Sequence, residues 1–180
     1  MSDFILRQWS AWAPGLSARD DRLMESGNSA VPECVPKMLR RRLTPLARAV
    51  FNVADRFSIA YRNNQEITVI APGQEGIAPA FIEALGMLHE GAYEVLIILY
   101  DEPIADFYPI APFNLNAAFP CVLALRIALS GLPLQIFHRA ESRDDGEHPV
   151  QLPAFLNFLL AGERSLSLGN QGHSWTWHKK

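Results

Sequence analysis

The chain has 180 residues, a formal net charge of −3, and 49% hydrophobic against 19% charged residues. This length suits one domain with its own core, and the composition is that of a globular protein. The acidic balance gives no basis for nucleic-acid binding, and no apolar run approaches the roughly 20 residues of a membrane-spanning helix. Because Asp3 interrupts a short apolar start, we expect no signal peptide. Without a membrane-spanning run or a signal peptide, we expect no membrane insertion and a cytoplasmic protein.

The first third of the chain predicts one clear helix. Residues 1–36 show no regular period, so we expect them to be irregular, with aromatic anchors at Phe4, Trp9 and Trp12. A helix is predicted from about Thr44 to Asp55, because Thr44 suits an N-cap and Pro45 suits the first helical position.

The next segment predicts a sharp turn from strand to helix. Ile67 to Ile70 reads as a short buried strand, and a helix should follow to about His89, with Gly91 ending it. Such an elbow can lift one residue to the mouth of a cleft and direct a helix N-terminus at it, which is how some enzymes expose a nucleophile. Here Ile70 stands on the turn, and isoleucine has neither a nucleophile nor a proton to transfer.

The second half predicts further strands and one helix. Tyr93–Tyr100 is nearly continuous apolar sequence, typical of a strand buried on both faces. The remaining predicted elements are a strand pair joined across Ser130-Gly131, a short helix and a last edge strand, at residues Cys121–Leu129, Leu132–His138, Pro153–Leu160 and Ser174–Trp177. Alternating strands and helices favour an α/β fold with a mixed, mostly parallel sheet flanked by helices, and the strand pair implies an antiparallel edge.

Several motifs together resemble one family. Thr68-Val69-Ile70-Ala71 resembles the Thr-Ala-Cys-Ala motif of ketosynthases, with Ile70 at the position of the acylated cysteine. The segments Pro36–Arg48, Val95–Glu102 and Pro153–Trp177 also resemble the β-ketoacyl synthase-like N-terminal family of the thiolase superfamily. The resemblance is greatest to the chain-length-factor-like subunit of aryl polyene biosynthesis. A core isoleucine in an ordinary strand, with no lost cysteine, is the alternative interpretation of Ile70.

The resemblance implies a fold, a role and partners. It implies a single half-thiolase domain over residues 1–180, lacking a family segment near residues 55–59. Neither catalytic histidine loop of the family is matched by the five histidines of this chain. The implied function is a non-catalytic subunit that pairs with a complete β-ketoacyl-ACP synthase in polyene or fatty acyl elongation, with acyl carrier protein as a further partner. By analogy with thiolase-like dimers, the strand Gln65-Glu66-Ile67-Thr68-Val69 would pair across the subunit interface.

Two further signals carry alternatives. Basic residues concentrate at Lys37, Arg40, Arg41 and Arg42, which predict either a solvated helix start or a docking site for an acidic partner. The adjacent Met38-Leu39 pair suggests that part of this segment is buried. We expect no cofactor and no metal site, and we expect Cys121 to be a core residue. A small independent α/β hydrolase or thioesterase is the rival function, although the chain has no Gly-x-Ser-x-Gly elbow.

Overall fold

The computed structural model describes residues 2–15, 20–24, 33, 35–57, 67–71, 75–103, 119–130, 133–140, 150–170 and 173–180. The helices and strands in chain order are β1 Ser2–Trp12, α1 Lys37–Arg40, α2 Pro45–Asp55, α3 Ala78–His89, β2 Val95–Asp101, β3 Cys121–Ala128, β4 Pro133–Ala140, α4 Gln151–Leu160, β5 Ser165–Asn170 and β6 His173–Lys179. Among the described helices, none combines the length and apolar character that crossing a bilayer demands.

The described strands form one six-stranded sheet in the order β2-β3-β1-β4-β6-β5, and every neighbouring pair is antiparallel. The chain combines helices with a sheet, as the predicted α/β class requires, but the prediction of a mixed, mostly parallel sheet is wrong. That prediction assumed that each helix crosses over between two neighbouring parallel strands. Here α3 leads into β2, and the segment before α3 is not part of the sheet.

The N-terminal segment is a long strand instead of the predicted irregular segment. β1 lies between β3 and β4, so the predicted hairpin of Cys121–Leu129 with Leu132–His138 is also wrong. A β-bulge interrupts the pairing of β1 with β3 at Arg7, where the register shifts between Leu6 and Gln8. Bulges redirect a side chain, and Arg7 extends to the Glu94 carboxylate at 2.8 Å.

The helix predictions are largely confirmed. α2 begins after Thr44, whose hydroxyl accepts a hydrogen bond from the backbone N–H of Ala47 at 3.1 Å, as an N-cap does. α3 ends at His89, and Gly91 follows it with φ of 115°, a conformation that glycine adopts without a steric penalty. α4 begins two residues before the predicted start.

The strand predictions at the sheet edges need correction. β2 is an edge strand in which Ile97 and Leu99 are buried while Tyr100 is exposed, so it is not buried on both faces. β6 is present as predicted but lies between β4 and β5, so the outer strand is β5. β3 is the strand that is buried along nearly its whole length.

Two apolar clusters cover opposite faces of the sheet. On one face, α3 and α4 pack over an aromatic core made of Phe4, Phe81, Phe155, Phe158 and Trp177. Ring centroids in this core lie 5.4 to 5.8 Å apart between Phe81, Phe155 and Trp177, with edge-on geometry. On the other face, α2 packs Leu46, Ala49 and Val53 against Val122 and Ala124 of β3. The chain thus buries a core on each side of its sheet.

Candidate functional site

The elbow segment, residues 67–71, is exposed except at Ile70 and belongs to no helix or strand. Ile67 is 85% exposed and Val69 is 84% exposed, so the predicted buried strand from Ile67 to Ile70 is wrong. The hydroxyl of Thr68 lies 3.4 Å from a carboxylate oxygen of Glu83 on α3. In the described part of the sheet no strand pairs with this segment, so its alternating apolar side chains remain outside the core.

Ile70 stands at the predicted nucleophile position. It is partly buried, and its hydrocarbon side chain can neither attack a thioester nor transfer a proton. Residues 72–74, between the predicted turn at Ile70 and α3, lie outside the described residues, as do Gln65 and Glu66 of the predicted interface strand. Pairing of residues 67–69 with a second protein therefore stays a prediction.

The N-terminus of α3 is capped from within the chain. The backbone N–H of Ile77 donates to Gln151 Oε1 at 3.1 Å, and Gln151 is buried at the start of α4. Gly76 has φ of 64°, and a Cβ at this position would collide with the Gln151 side chain. Pro79 in the first turn has no N–H to offer. The amide groups with which a helix N-terminus could stabilise an anion are thus partly occupied or missing.

Gln151 is the residue that the sequence did not reveal. It lies 74 residues from Ile77 in the chain, and no local pattern links a glutamine before α4 to the start of α3. The glycine at position 76 was visible, but its need to accommodate the Gln151 side chain follows from the tertiary packing alone.

Cys121 is a core residue, as predicted. It is fully buried at the start of β3 and forms no disulfide. Burial, with a smaller effect from the charge of Asp101, raises the pKa of its thiol to about 12. The thiolate is the reactive form of cysteine, so this side chain is not a nucleophile near neutral pH. Across the described residues, no group of three His, Cys, Asp or Glu side chains is placed to share a metal ion.

The basic patch, defined as Lys37, Arg40, Arg41 and Arg42, divides into two parts. Arg40 is structural, because its Nε and Nη2 donate to the carbonyls of Val35 and Glu33 at 2.6 and 2.7 Å. The other three basic residues are exposed.

The apolar pair inside this patch is also exposed. Met38 is 79% exposed and Leu39 is 51% exposed, so the expectation that part of this segment is buried is wrong. α1 is a single turn without a buried residue, which leaves these side chains nothing to pack against within α1. The patch therefore presents both positive charge and apolar surface.

Comparison with known proteins identifies the family. A family model described as "Beta-ketoacyl synthase, N-terminal domain" matches residues 53–178. A chain in the solved structure "Ketosynthase (ApeO) in Complex with its Chain Length Factor (ApeC) from Xenorhabdus doucetiae" aligns with a TM-score of 0.70 and 17% identity, over 99% of this chain and 100% of that chain. At this identity the likeness shows the fold, which is thiolase-like. No curated protein sequence matches. Because the family model spans more than half of the chain, the protein belongs to the β-ketoacyl synthase N-terminal domain family.

Proposed function

We propose that this chain is a non-catalytic, ketosynthase-like subunit that pairs with a complete β-ketoacyl-ACP synthase in the elongation of polyene or fatty acyl chains. The observation that carries the proposal is Ile70, which stands where the ketosynthase motif has its acylated cysteine. Acyl transfer to the protein needs a nucleophile, and isoleucine excludes one at this position. In this proposal the complete ketosynthase carries out the chemistry, and this chain contributes a surface that binds the ketosynthase.

The capped start of α3 supports the absence of catalysis. An oxyanion site needs free N–H donors aimed at the developing charge. At α3 the Ile77 amide already donates to Gln151, whose side chain occupies the space beside Gly76. A cysteine restored at position 70 would therefore still lack this donor.

The exposed elbow supports a subunit interface. Leaving side chains such as Ile67 and Val69 in water forgoes about 1.5–3 kcal/mol each relative to full burial, and both are more than four-fifths exposed. The structural neighbour comes from a complex of a ketosynthase with its chain length factor, which fits a chain of this fold that works in a pair. We propose that residues 65–69 contact the ketosynthase, as in the interface strand of thiolase-like dimers.

The missing family segment offers a reason for the exposed elbow. We propose that residues 1–180 form one half-thiolase domain that lacks a family segment near residues 55–59. α2 ends at Asp55, and in the described part of the sheet no strand pairs with residues 67–71. In this proposal the partner subunit is the source of contacts for the elbow.

The basic patch supports a second partner. Lys37, Arg41 and Arg42 are exposed beside the apolar side chains of Met38 and Leu39. Positive charge around an apolar centre complements an acidic protein surface, and we propose acyl carrier protein as that partner, in the cytoplasm. The rival hydrolase gains no support from Cys121, because its thiol is buried and its pKa is raised.

An acyl-loading experiment tests the absence of catalysis. The purified chain and its Ile70→Cys variant are incubated with acyl carrier protein that carries a radiolabelled acyl group, with a complete ketosynthase as positive control. We expect no stable label on the wild-type chain and little on the variant, because Gln151 still occupies the α3 amide. Stable labelling of wild-type Cys34 or Cys121, together with condensation activity, would contradict the proposal.

A further inference from the structure

A groove of about 640 Å³ lies beside β1 and has no role in the proposed function. Its lining comes from the middle of β1, from the turn that follows Asp20, and from the residue that caps the C-terminus of α2. The lining residues are Leu6, Arg7, Gln8, Trp9, Ser10, Asp21, Arg22 and Arg56. Three arginines and one acid line the groove, so its formal lining charge is positive.

The three arginines are held in place by other contacts. Arg22 donates from Nε and Nη2 to the two carboxylate oxygens of Asp20 at 2.8 and 2.5 Å, and it lies 4.5 Å above the ring centroid of Trp9. Arg7 donates to the Glu94 carboxylate at 2.8 Å. Fixing a guanidinium in advance reduces the conformational entropy that a ligand must otherwise remove.

Arg56 is the arginine with the most unused binding capacity. Its Nη1 donates to the backbone carbonyl of Asp21, and among the described residues it forms no ion pair with a carboxylate. Asp20 and Glu94 form ion pairs with Arg22 and Arg7, whereas no described carboxylate lies within ion-pair distance of Arg56. A guanidinium has five N–H donors, and the contacts within the described part of the chain use one of those of Arg56, so the others can serve an incoming anion.

From this geometry we propose that the groove binds the phosphate group of a small phosphate ester. A carboxylate has two oxygens and matches one guanidinium fork, whereas a phosphate can accept from several arginines at once. The carboxylate of Asp21, on the same lining, would repel a second anion but can accept a hydrogen bond from a hydroxyl group. The ligand class is therefore a phosphate monoester that carries a neighbouring hydroxyl.

Binding can be tested on the isolated chain, without a ketosynthase. The indole N–H resonance of Trp9, assigned with a Trp9→Phe variant, is followed by NMR during titration with inorganic phosphate, glycerol 3-phosphate and acetate at constant ionic strength. We expect saturable shifts with both phosphates, tighter binding of glycerol 3-phosphate than of inorganic phosphate, and binding of acetate weaker by about tenfold or more, since a charged hydrogen bond contributes about that factor.

Matched variants locate the site. Arg56→Gln should weaken the binding of both phosphates by about tenfold, while Arg164→Gln removes an exposed arginine outside the lining and should leave binding unchanged. If Arg56→Gln does not fold, Asp21→Asn serves instead and should tighten the binding of inorganic phosphate. No saturable shift of Trp9, acetate binding as tight as phosphate binding, or equal losses in Arg56→Gln and Arg164→Gln would overturn the proposal.

Discussion

The aromatic core under α3 and α4 and the elbow segment before α3 are both apolar, yet the first is buried and the second is exposed. Phe81, Phe155 and Trp177 are fully buried, whereas Ile67 and Val69 are almost fully exposed. The core gathers residues from helices and strands that are far apart in sequence, while the elbow has no described strand beside it. Apolar sequence alone therefore does not reveal whether a segment is buried in the core of its own chain.

A substitution in the aromatic core should have the largest effect, a loss of unfolding free energy. Phe155→Ala removes a ring that lies 5.5 Å from Phe81 and 5.4 Å from Trp177 between centroids. Truncating a buried phenylalanine costs about 3–5 kcal/mol of unfolding free energy. Urea denaturation followed by circular dichroism measures the loss. Ile82→Ala, on the exposed face of α3, is the control and should cost less than about 1 kcal/mol; equal losses would contradict the core assignment.

Substitutions in the exposed elbow segment should weaken binding of the ketosynthase and leave the stability of the chain nearly unchanged. The double variant Ile67→Asp, Val69→Asp places two charges where we propose that the ketosynthase binds. We expect affinity for the ketosynthase to fall by about 30-fold or more, as for interface residues worth at least about 2 kcal/mol. Unfolding free energy should change by less than about 1 kcal/mol, because both side chains are exposed in the chain.

Surface plasmon resonance and denaturation together separate the two outcomes. The single variant Ile82→Asp, on the exposed face of α3, controls for added charge and should bind normally. If the double variant unfolds the chain, residues 67–69 belong to its own core. If it binds the ketosynthase normally, they lie outside the interface.

The pH dependence of stability tests whether the Cys121 side of β3 is shielded from water. The folded chain keeps the Cys121 thiol protonated, with a pKa of about 12, while the unfolded chain releases this proton above about pH 8.5. The contribution of the Cys121 thiol to the unfolding free energy is therefore complete below about pH 8.5. Above that pH the contribution declines by up to about 1.4 kcal/mol per pH unit, until the pH reaches the pKa of the folded chain.

Subtracting the unfolding free energy of Cys121→Ala from that of the wild type isolates this contribution from other titrating groups. The difference between the two proteins should fall between pH 9 and pH 10, as measured by denaturation with urea. A difference independent of pH would mean that the thiol ionises in the folded chain, and that this side of β3 admits water.

The smallest effect is expected at the basic patch. Arg41→Glu with Arg42→Glu should weaken binding of acyl carrier protein, by no more than about fivefold for each exposed charge. Wild-type binding should weaken as salt rises, because exposed charges are screened over about 8–10 Å. Isothermal titration at low and high salt measures both effects, with Arg164→Glu as the charge-matched control. Unchanged affinity would make these arginines an ordinary solvated surface.

Local signals predicted the helices well and the sheet poorly. The signals for α2 and α3, namely Thr44 before Pro45 and the apolar spacing of Ile77, Phe81 and Leu85, are contained within a few residues, and both helices are present. Strand order depends on contacts between distant segments, so the insertion of β1 between β3 and β4 had no local signature. β1 itself was missed because its bulge at Arg7 breaks the alternation of side chains.

The candidate site shows the same limit. Ile70 could be identified from the sequence because a motif surrounds it. The contact of Gln151 with the start of α3 could not, since Gln151 belongs to α4. The basic patch was visible as a run of charge, but the sequence did not show that Arg40 is bound to backbone carbonyls while its neighbours are exposed.

Co-expression with a complete β-ketoacyl-ACP synthase, followed by size exclusion with light scattering, tests the central proposal most directly. We predict that the wild-type chain co-elutes with the ketosynthase as one complex, and that the Ile67→Asp, Val69→Asp variant elutes separately while remaining folded. Separate elution of the wild-type chain and the ketosynthase, with turnover of an acyl substrate by the chain alone, would contradict the proposal that this chain is a non-catalytic partner subunit.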